Sequence, residues 1–179
     1  MILELNSSLY LALGSVLVGI SAALLDIKYR KIPNWLTFPA MLTGVVLNLF
    51  FNIDSWRFSL LGLSVGLLIL LIPFILGGIG AGDVKLMMAL GAFLGARKII
   101  SVGLCSGIAG GVLALLALAL QDGPVKVRHR LVLLVASIWD KDIRRVIFRP
   151  DQTSKLVIPY GPAILIGLLV GLVWGPLWE

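Results

Sequence analysis

The sequence has 179 residues, of which 59% are hydrophobic and 13% are charged, and its mean hydropathy is +1.05. That composition excludes an ordinary soluble domain, and a single cysteine with a single histidine excludes an intrachain disulfide and a zinc-binding cluster. The net charge of +6 does not indicate nucleic-acid binding, because basic residues beside membrane helices usually record topology or contact with anionic lipid.

Apolar runs suited to crossing about 30 Å of hydrocarbon recur along the chain and predict an all-α, polytopic membrane protein. The first run follows MILELNSS, which has no basic residue, so we expect a retained membrane helix and not a secretory signal. The fourth run has 11 uncharged residues between Lys85 and Arg97, about 16 Å of helix, which taken alone favours a re-entrant segment. Six spans are predicted, at residues 8–25, 36–51, 58–77, 84–96, 99–120 and 158–177.

The distribution of Lys and Arg predicts the topology. If all six runs cross, the connections after the first, third and fifth spans share one side and hold twelve of the fifteen Lys and Arg residues. The positive-inside rule makes that side cytoplasmic, and both termini then lie outside. A fourth run that did not cross would put the two main basic loops on opposite sides. We therefore predict one membrane-embedded domain over residues 1–179, with about six transmembrane helices.

The predicted cytoplasmic loop at residues 121–157 is the one stretch with soluble character. Within it, the segment from Arg130 to Phe148 has helical periodicity, with apolar residues on one face and basic residues on the other. A basic amphipathic helix of this kind is expected to lie on the lipid of the inner leaflet, and docking of a partner protein is the alternative. The histidine, His129, is interpreted as a solvated member of this basic segment.

Two carboxylates stand where an apolar span meets a cytoplasmic loop: Asp26 ends the first span, and Asp83 begins the fourth. The predicted topology puts both on the cytoplasmic side, where they can meet. Neighbouring carboxylates tend to share one proton, and such a pair can hydrolyse a peptide bond, the ionised member activating water and the protonated member assisting the leaving nitrogen. The structural alternative is that Asp83 caps the fourth helix and Asp26 is a helix-ending charge balanced by neighbouring basic residues.

Asp83 lies in the glycine-rich stretch GIGAGDVKL, residues 78–86. The glycines allow a tight turn and the close approach of an extended substrate, whereas the alternative is a plain inter-helix turn in which Lys85 marks the cytoplasmic side. Helix dipoles favour the ionised form of Asp83 and disfavour that of Asp26, which gives the hypothesis that Asp83 is the base and Asp26 the acid. The cations that follow Asp26 oppose that assignment.

Asp26 ahead of Ile32-Pro33-Asn34, together with Gly80-Ala81-Gly82-Asp83-Val84-Lys85, resembles the type IV prepilin peptidases, intramembrane aspartyl proteases of the GxGD kind. The similarity covers about residues 9–120 and recurs at Pro159-Tyr160-Gly161. The resemblance implies cleavage of the short basic leader of prepilin-like proteins, typically just after a glycine, at the cytoplasmic face of a bacterial or archaeal cytoplasmic membrane. It also implies that Asp26 and Asp83 are the catalytic pair. The positions that it marks as supporting or substrate-binding are Gly80, Gly82, Lys85, Pro33 and Asn34.

The chain departs from the longer family members, which carry an N-terminal cytoplasmic domain with paired cysteines that methylates the new amino terminus. It resembles the short stand-alone peptidases of tight-adherence (Flp) pili, so neither methylation nor S-adenosylmethionine is implied, and we expect no cofactor and no metal. The expected partners are a prepilin-like substrate and membrane lipid, with no nucleic acid. Two other classes of function stay open: a non-catalytic assembly component of a pilus or secretion system, and an ion-coupled transporter.

Overall fold

The computed structural model describes the backbone of residues 2–51, 55–139 and 160–174, and the side chains of residues 9–50, 56–116 and 160–173. Every regular element within these ranges is a helix. The helices are α1 (Ile2–Tyr29), α2 (Asn34–Phe51), α3 (Ser55–Ile75), α4 (Ala81–Trp139) and α5 (Gly161–Trp174).

Three segments within these helices are long and apolar enough to cross a membrane: Leu9–Tyr29, Trp56–Ile75 and Ala81–Leu116. Two shorter apolar helices, Asn34–Phe50 and Gly161–Val173, accompany them. In hydrocarbon a helix satisfies its own backbone hydrogen bonds, which explains why such apolar runs fold this way. The prediction of an all-α membrane protein is confirmed, whereas six crossings and the outside location of the termini stay predictions.

A short turn at residues 30–33 separates α1 from α2 and begins four residues after Asp26. The amide of Arg30 donates to the Asp26 carbonyl at 2.8 Å, and Arg30 adopts a left-handed φ of 52°, which ends α1. Pro33 disfavours the helical conformation at Ile32, and α2 begins at Asn34. Asp26 therefore lies in the last turns of α1, beside a sharp change in chain direction.

Glycine forms the turn between α3 and α4. Gly77 has a φ of 78°, a value that glycine adopts without steric penalty, and its amide donates to the Phe74 carbonyl at 2.9 Å. The amide of Gly78 donates to the Pro73 carbonyl at 2.9 Å. These bonds satisfy carbonyls at the end of α3, as a glycine cap does. The chain is then free to start α4 two residues before Asp83.

The helix α4 changes direction at Gly95, whose φ of 76° does not occur within a straight right-handed helix. Phe58 of α3 contacts Gly95, and Gly66 contacts Met87, so α3 and the first part of α4 run antiparallel. A straight continuation would carry Gly103 about 12 Å beyond Gly95, away from the C-terminal half of α3.

Gly103 instead lies beside Ile69, where a β-carbon built on the glycine would be 2.8 Å from Cγ2 of Ile69. Because Ile69 is closer to the end of α3 than Phe58 is, the chain must double back after Gly95. We call residues 81–94 the first pass of α4 and residues 96–110 the second pass. The reversal falls beside Arg97 and Lys98, between the fourth and fifth predicted spans.

Small residues and one amide connect these passes to their neighbours. Gly167 and Gly171 of α5 lie against the second pass, where β-carbons would approach backbone or side-chain atoms within 2.5 to 3.0 Å. At the end of the first pass, Nδ2 of Asn48 in α2 donates to the carbonyls of Ala92 at 2.9 Å and Phe93 at 3.4 Å. Asn48 thus satisfies carbonyls that the interruption at Gly95 leaves without an ordinary helical partner.

The chain groups into two compact units. The first comprises Met1–Gly110 together with Pro159–Glu179, and the second comprises Gly111–Ile158. The first unit contains both aspartates. In the second, helical backbone continues past Gln121, the start of the predicted loop, to Trp139. The N-terminal half of the predicted amphipathic segment is therefore helical. Residues 140–148 and all side chains of the segment lie outside the described residues. The prediction of one domain stays a prediction.

Candidate active site

Asp26 and Asp83 line one partly open cavity of about 220 Å³. Asp26 belongs to the end of α1 and Asp83 to the first turn of α4, and their side chains are only 6% and 8% exposed. Burying carboxylates is costly unless they are paired or hydrogen-bonded, so the partners of these two side chains decide what they can do.

Asp83 makes a reciprocal pair of hydrogen bonds with the residue that precedes α4. The amide of Gly80 donates to Asp83 Oδ2 at 3.1 Å, and the amide of Asp83 donates to the Gly80 carbonyl at 3.1 Å. The first bond is the half of a capping box in which a side chain three residues into the helix accepts from the N-cap amide, so Asp83 does cap its helix. Its second oxygen, Oδ1, is buried and has no hydrogen-bond partner among the described residues. This carboxylate oxygen can accept a hydrogen bond from a molecule that enters the cavity.

Asp26 is held from the opposite direction, by the last described helix. The amide of Gly161, the first residue of α5, donates to Asp26 Oδ2 at 2.8 Å. A β-carbon on Gly161 would lie 2.9 Å from Cβ of Asp26, so glycine is the residue that permits this approach. Sequence reasoning noted the Pro159-Tyr160-Gly161 segment but missed its contact with Asp26.

The same contact removes the basis of the acid and base hypothesis. That hypothesis placed Asp83 at a helix N-terminus and Asp26 at a helix C-terminus. In the structure Asp26 also accepts an amide hydrogen at the N-terminus of α5, where the helix dipole favours an anion. The dipoles therefore no longer distinguish the two carboxylates.

Tyr160 connects the start of α5 to the second pass of α4. Its hydroxyl donates to the carbonyl of Ser106 at 3.2 Å, and its ring contacts Gly110. Because Gly161 follows Tyr160 directly, this contact helps to position the Gly161 amide that donates to Asp26.

The remaining predicted site residues divide into two groups. Gly80 and Gly82 line the cavity, whereas Pro33, Asn34 and Lys85 lie outside its lining. The Lys85 ammonium donates to Asn34 Oδ1 at 2.8 Å, so it joins the start of α4 to the start of α2. Sequence reasoning missed four other residues that line the cavity, namely Arg30, Lys31, Ile32 and Ala81. The basic residues Arg30 and Lys31 were interpreted as a record of topology and as balancing charges for Asp26, whereas Ile32 and Ala81 stand within the two motifs and were not singled out.

The arrangement is suited to hydrolysis by two carboxylates. A cavity of about 220 Å³ exceeds by several times the roughly 30 Å³ that one water occupies in the liquid, so water and an extended backbone can both enter. Two carboxylates beside them supply a general base and a general acid. Within the part of the chain that the structure describes, no group of three or more His, Cys, Asp or Glu side chains could hold a metal ion.

Comparison with known proteins adds independent information. A family model described as the type IV leader peptidase family matches residues 12–115. A prepilin leader peptidase/N-methyltransferase of Burkholderia pseudomallei (strain 1026b) is 36% identical over an alignment of 111 residues. The match covers 55% of this chain and 36% of that protein. The protein of the same name from Xanthomonas campestris pv. campestris is 28% identical over 172 residues, 92% of this chain and 49% of its own. The protein of the same name from Myxococcus xanthus is 34% identical over 115 residues, and the match covers 60% of this chain and 34% of that protein.

The chain thus spans half the length, or less, of these curated relatives. No solved structure matches it.

Proposed function

The chain belongs to the type IV leader peptidase family, and from that premise we propose that it hydrolyses the peptide bond that follows the short basic leader of a prepilin-like protein. The observation that carries the proposal is the cavity shared by Asp26 and Asp83. Each carboxylate is anchored through its Oδ2 by one backbone amide, and Oδ1 of Asp83 is buried with no hydrogen-bond partner among the residues that the structure describes.

The proposed reaction needs water and the two carboxylates. The ionised aspartate takes a proton from water as the water oxygen bonds to the scissile carbonyl carbon. The protonated aspartate donates its proton to the leaving nitrogen as the carbon–nitrogen bond breaks. The two aspartates exchange protonation states in one turnover, and a proton exchange with solvent restores them. Asp26 and Asp83 are the proposed catalytic residues, with their individual roles left unassigned.

We place the reaction at the cytoplasmic face of a bacterial or archaeal cytoplasmic membrane, in a chain of about six crossings. The positive-inside rule supports this, since it assigns both aspartates to the side that carries most of the Lys and Arg residues. Membrane lipid is the proposed surrounding of the exposed apolar side chains. The proposal covers hydrolysis alone, for which the cavity supplies the two carboxylates, and N-methylation is not part of it.

Leader removal tests the proposal directly. A prepilin-like substrate is co-expressed with the wild-type chain or with its Asp26→Asn or Asp83→Asn variant, and processing is followed by gel shift. Each substitution keeps the size of the side chain and removes a general acid or base, so we expect a loss of about 10²- to 10⁴-fold in rate. Asp122→Asn makes the same substitution at an aspartate outside both motifs and should cleave at the wild-type rate. Processing that survives either cavity substitution overturns the aspartyl mechanism, and a wild-type chain that never cleaves overturns the proposed function.

A further inference from the structure

The two segments that carry the aspartates touch at a second place, between the turn after α1 and the first turn of α4. A β-carbon built on Gly82 would lie 3.0 Å from Cβ of Ile32 and 3.1 Å from its carbonyl oxygen. Ile32 is buried and lines the cavity together with Gly82. Any sliding of this turn against α4 therefore alters the separation of Asp26 and Asp83.

One polar contact joins the same two segments just outside the cavity. Nζ of Lys85, two residues after Asp83, donates to Oδ1 of Asn34, two residues after Ile32, at 2.8 Å. The ammonium also lies 5.2 Å from the centroid of the Phe38 ring, one turn further along α2. Both contacts draw the start of α4 toward the start of α2. A hydrogen bond from a charged donor is about twice as strong as a neutral one, and although solvent weakens this exposed bond, the Phe38 ring supports it from a second side.

We propose that Lys85 and Asn34 act as a positioning pair, whose hydrogen bond fixes the turn at residues 30–33 against α4 and so sets the separation of the two aspartates. The inference rests on the proposed function and extends it, because it assigns to Lys85 a task other than contact with substrate or with Asp83. The direction of the ammonium carries this point, since it is bonded to Asn34 outside the cavity lining. Asp83 Oδ2 is meanwhile bonded to Gly80.

A double-mutant cycle separates this role from the alternatives. The full chain is purified, and kcat and KM for leader removal are measured for Lys85→Met, Asn34→Leu and the double variant. If the two residues act through one bond, each single variant loses about 10- to 100-fold in kcat with KM within about twofold of wild type. The double variant then loses no more than the worse single variant. Asn34→Asp keeps an oxygen acceptor and should recover most of the loss.

Lys98→Met is the matched control, because Lys98 is an exposed lysine at the start of the second pass. It should leave kcat unchanged. Losses that multiply in the double variant overturn the proposal. The proposal is also overturned if Lys85→Met lowers kcat while Asn34→Leu keeps the wild-type kcat, since Lys85 would then act without Asn34.

A second measurement is independent of cleavage. Spin labels are attached at Lys31→Cys and Ala81→Cys, two exposed positions on the cavity wall, in a Cys105→Ala background. Dipolar broadening of the spectrum reports the distance between the turn and α4. Lys85→Met should widen the distance distribution and Lys98→Met should not; equal spectra overturn the proposal. This result stands even if the wild-type chain does not cleave a prepilin, so failure of the proposed function and failure of the pair are distinguishable.

Discussion

Replacing Gly161 with alanine adds one methyl group at the point where α5 meets Asp26. The new β-carbon would lie 2.9 Å from Cβ of Asp26, 3.0 Å from its Oδ2 and 3.3 Å from Cα of Ala23. Carbon atoms pack favourably at about 3.5 to 4.0 Å, so the Asp26 side chain or the start of α5 must move by about 0.5 to 1 Å. The cost of such overpacking is about 1 to 3 kcal/mol.

The effect on the reaction is expected to be similar in free energy to the effect on folding, because a tenfold loss of rate corresponds to about 1.4 kcal/mol. A misplacement of about 1 Å in a reacting group lowers a rate by up to about 10²-fold, so we expect Gly161→Ala to cleave about 10 to 100 times more slowly than wild type. Gly107→Ala is the matched control, because a β-carbon at Gly107 meets no atom within 4 Å. Alanine in an open helical position should leave stability unchanged or raise it by up to about 1 kcal/mol.

The assay measures leader removal and thermal unfolding on the same detergent-solubilised preparations. Gly161→Ala should remain folded at the assay temperature. Its rate of leader removal should stay below the wild-type rate at every substrate concentration. A wild-type rate for Gly161→Ala beside an inactive Asp26→Asn variant would refute the reasoning. A rate that falls only in proportion to the loss of folded protein would refute it as well.

Two further predictions concern the reversal of α4. Gly95→Ala puts a side chain into a left-handed conformation and against the Phe58 ring, so we expect at least about 1 kcal/mol of destabilisation; a thermal midpoint equal to that of Gly107→Ala contradicts this. Asn48→Ala removes the donor to the Ala92 carbonyl, and we expect about 1 to 3 kcal/mol of destabilisation, measured by the same unfolding assay. An unchanged midpoint would show that the amide does not support the helix end.

The sequence is sufficient to predict the helices and the shared location of the two aspartates. Apolar runs have few alternatives to a helix in hydrocarbon, so their lengths and flanking charges are informative without any knowledge of packing. Asp26 and Asp83 each stand at the end of such a run, and counting the runs assigns them to one side. The cavity that they share agrees with that assignment.

The contacts that complete the cavity depend on packing, and for that reason sequence patterns do not reveal them. The Gly161 amide donates to Asp26 across 135 residues of sequence, and Ile32 contacts Gly82 because the turn after α1 packs against the start of α4. The reversal at Gly95 is an intermediate case. Arg97 and Lys98 indicate a boundary there, but the sign of φ at a single glycine is set by its surroundings.

The bond between Gly161 and Asp26 has a consequence for the biosynthesis of the protein. A nascent chain that has reached residue 115 already contains both aspartates, the glycine-rich turn and the whole segment matched by the family model. It lacks the amide that orients Asp26 until α5 has been synthesised and has packed against α1. The proposed leader cleavage would therefore begin only when the last described helix is in place, and a chain truncated before Gly161 would retain the family's signature without a completed site.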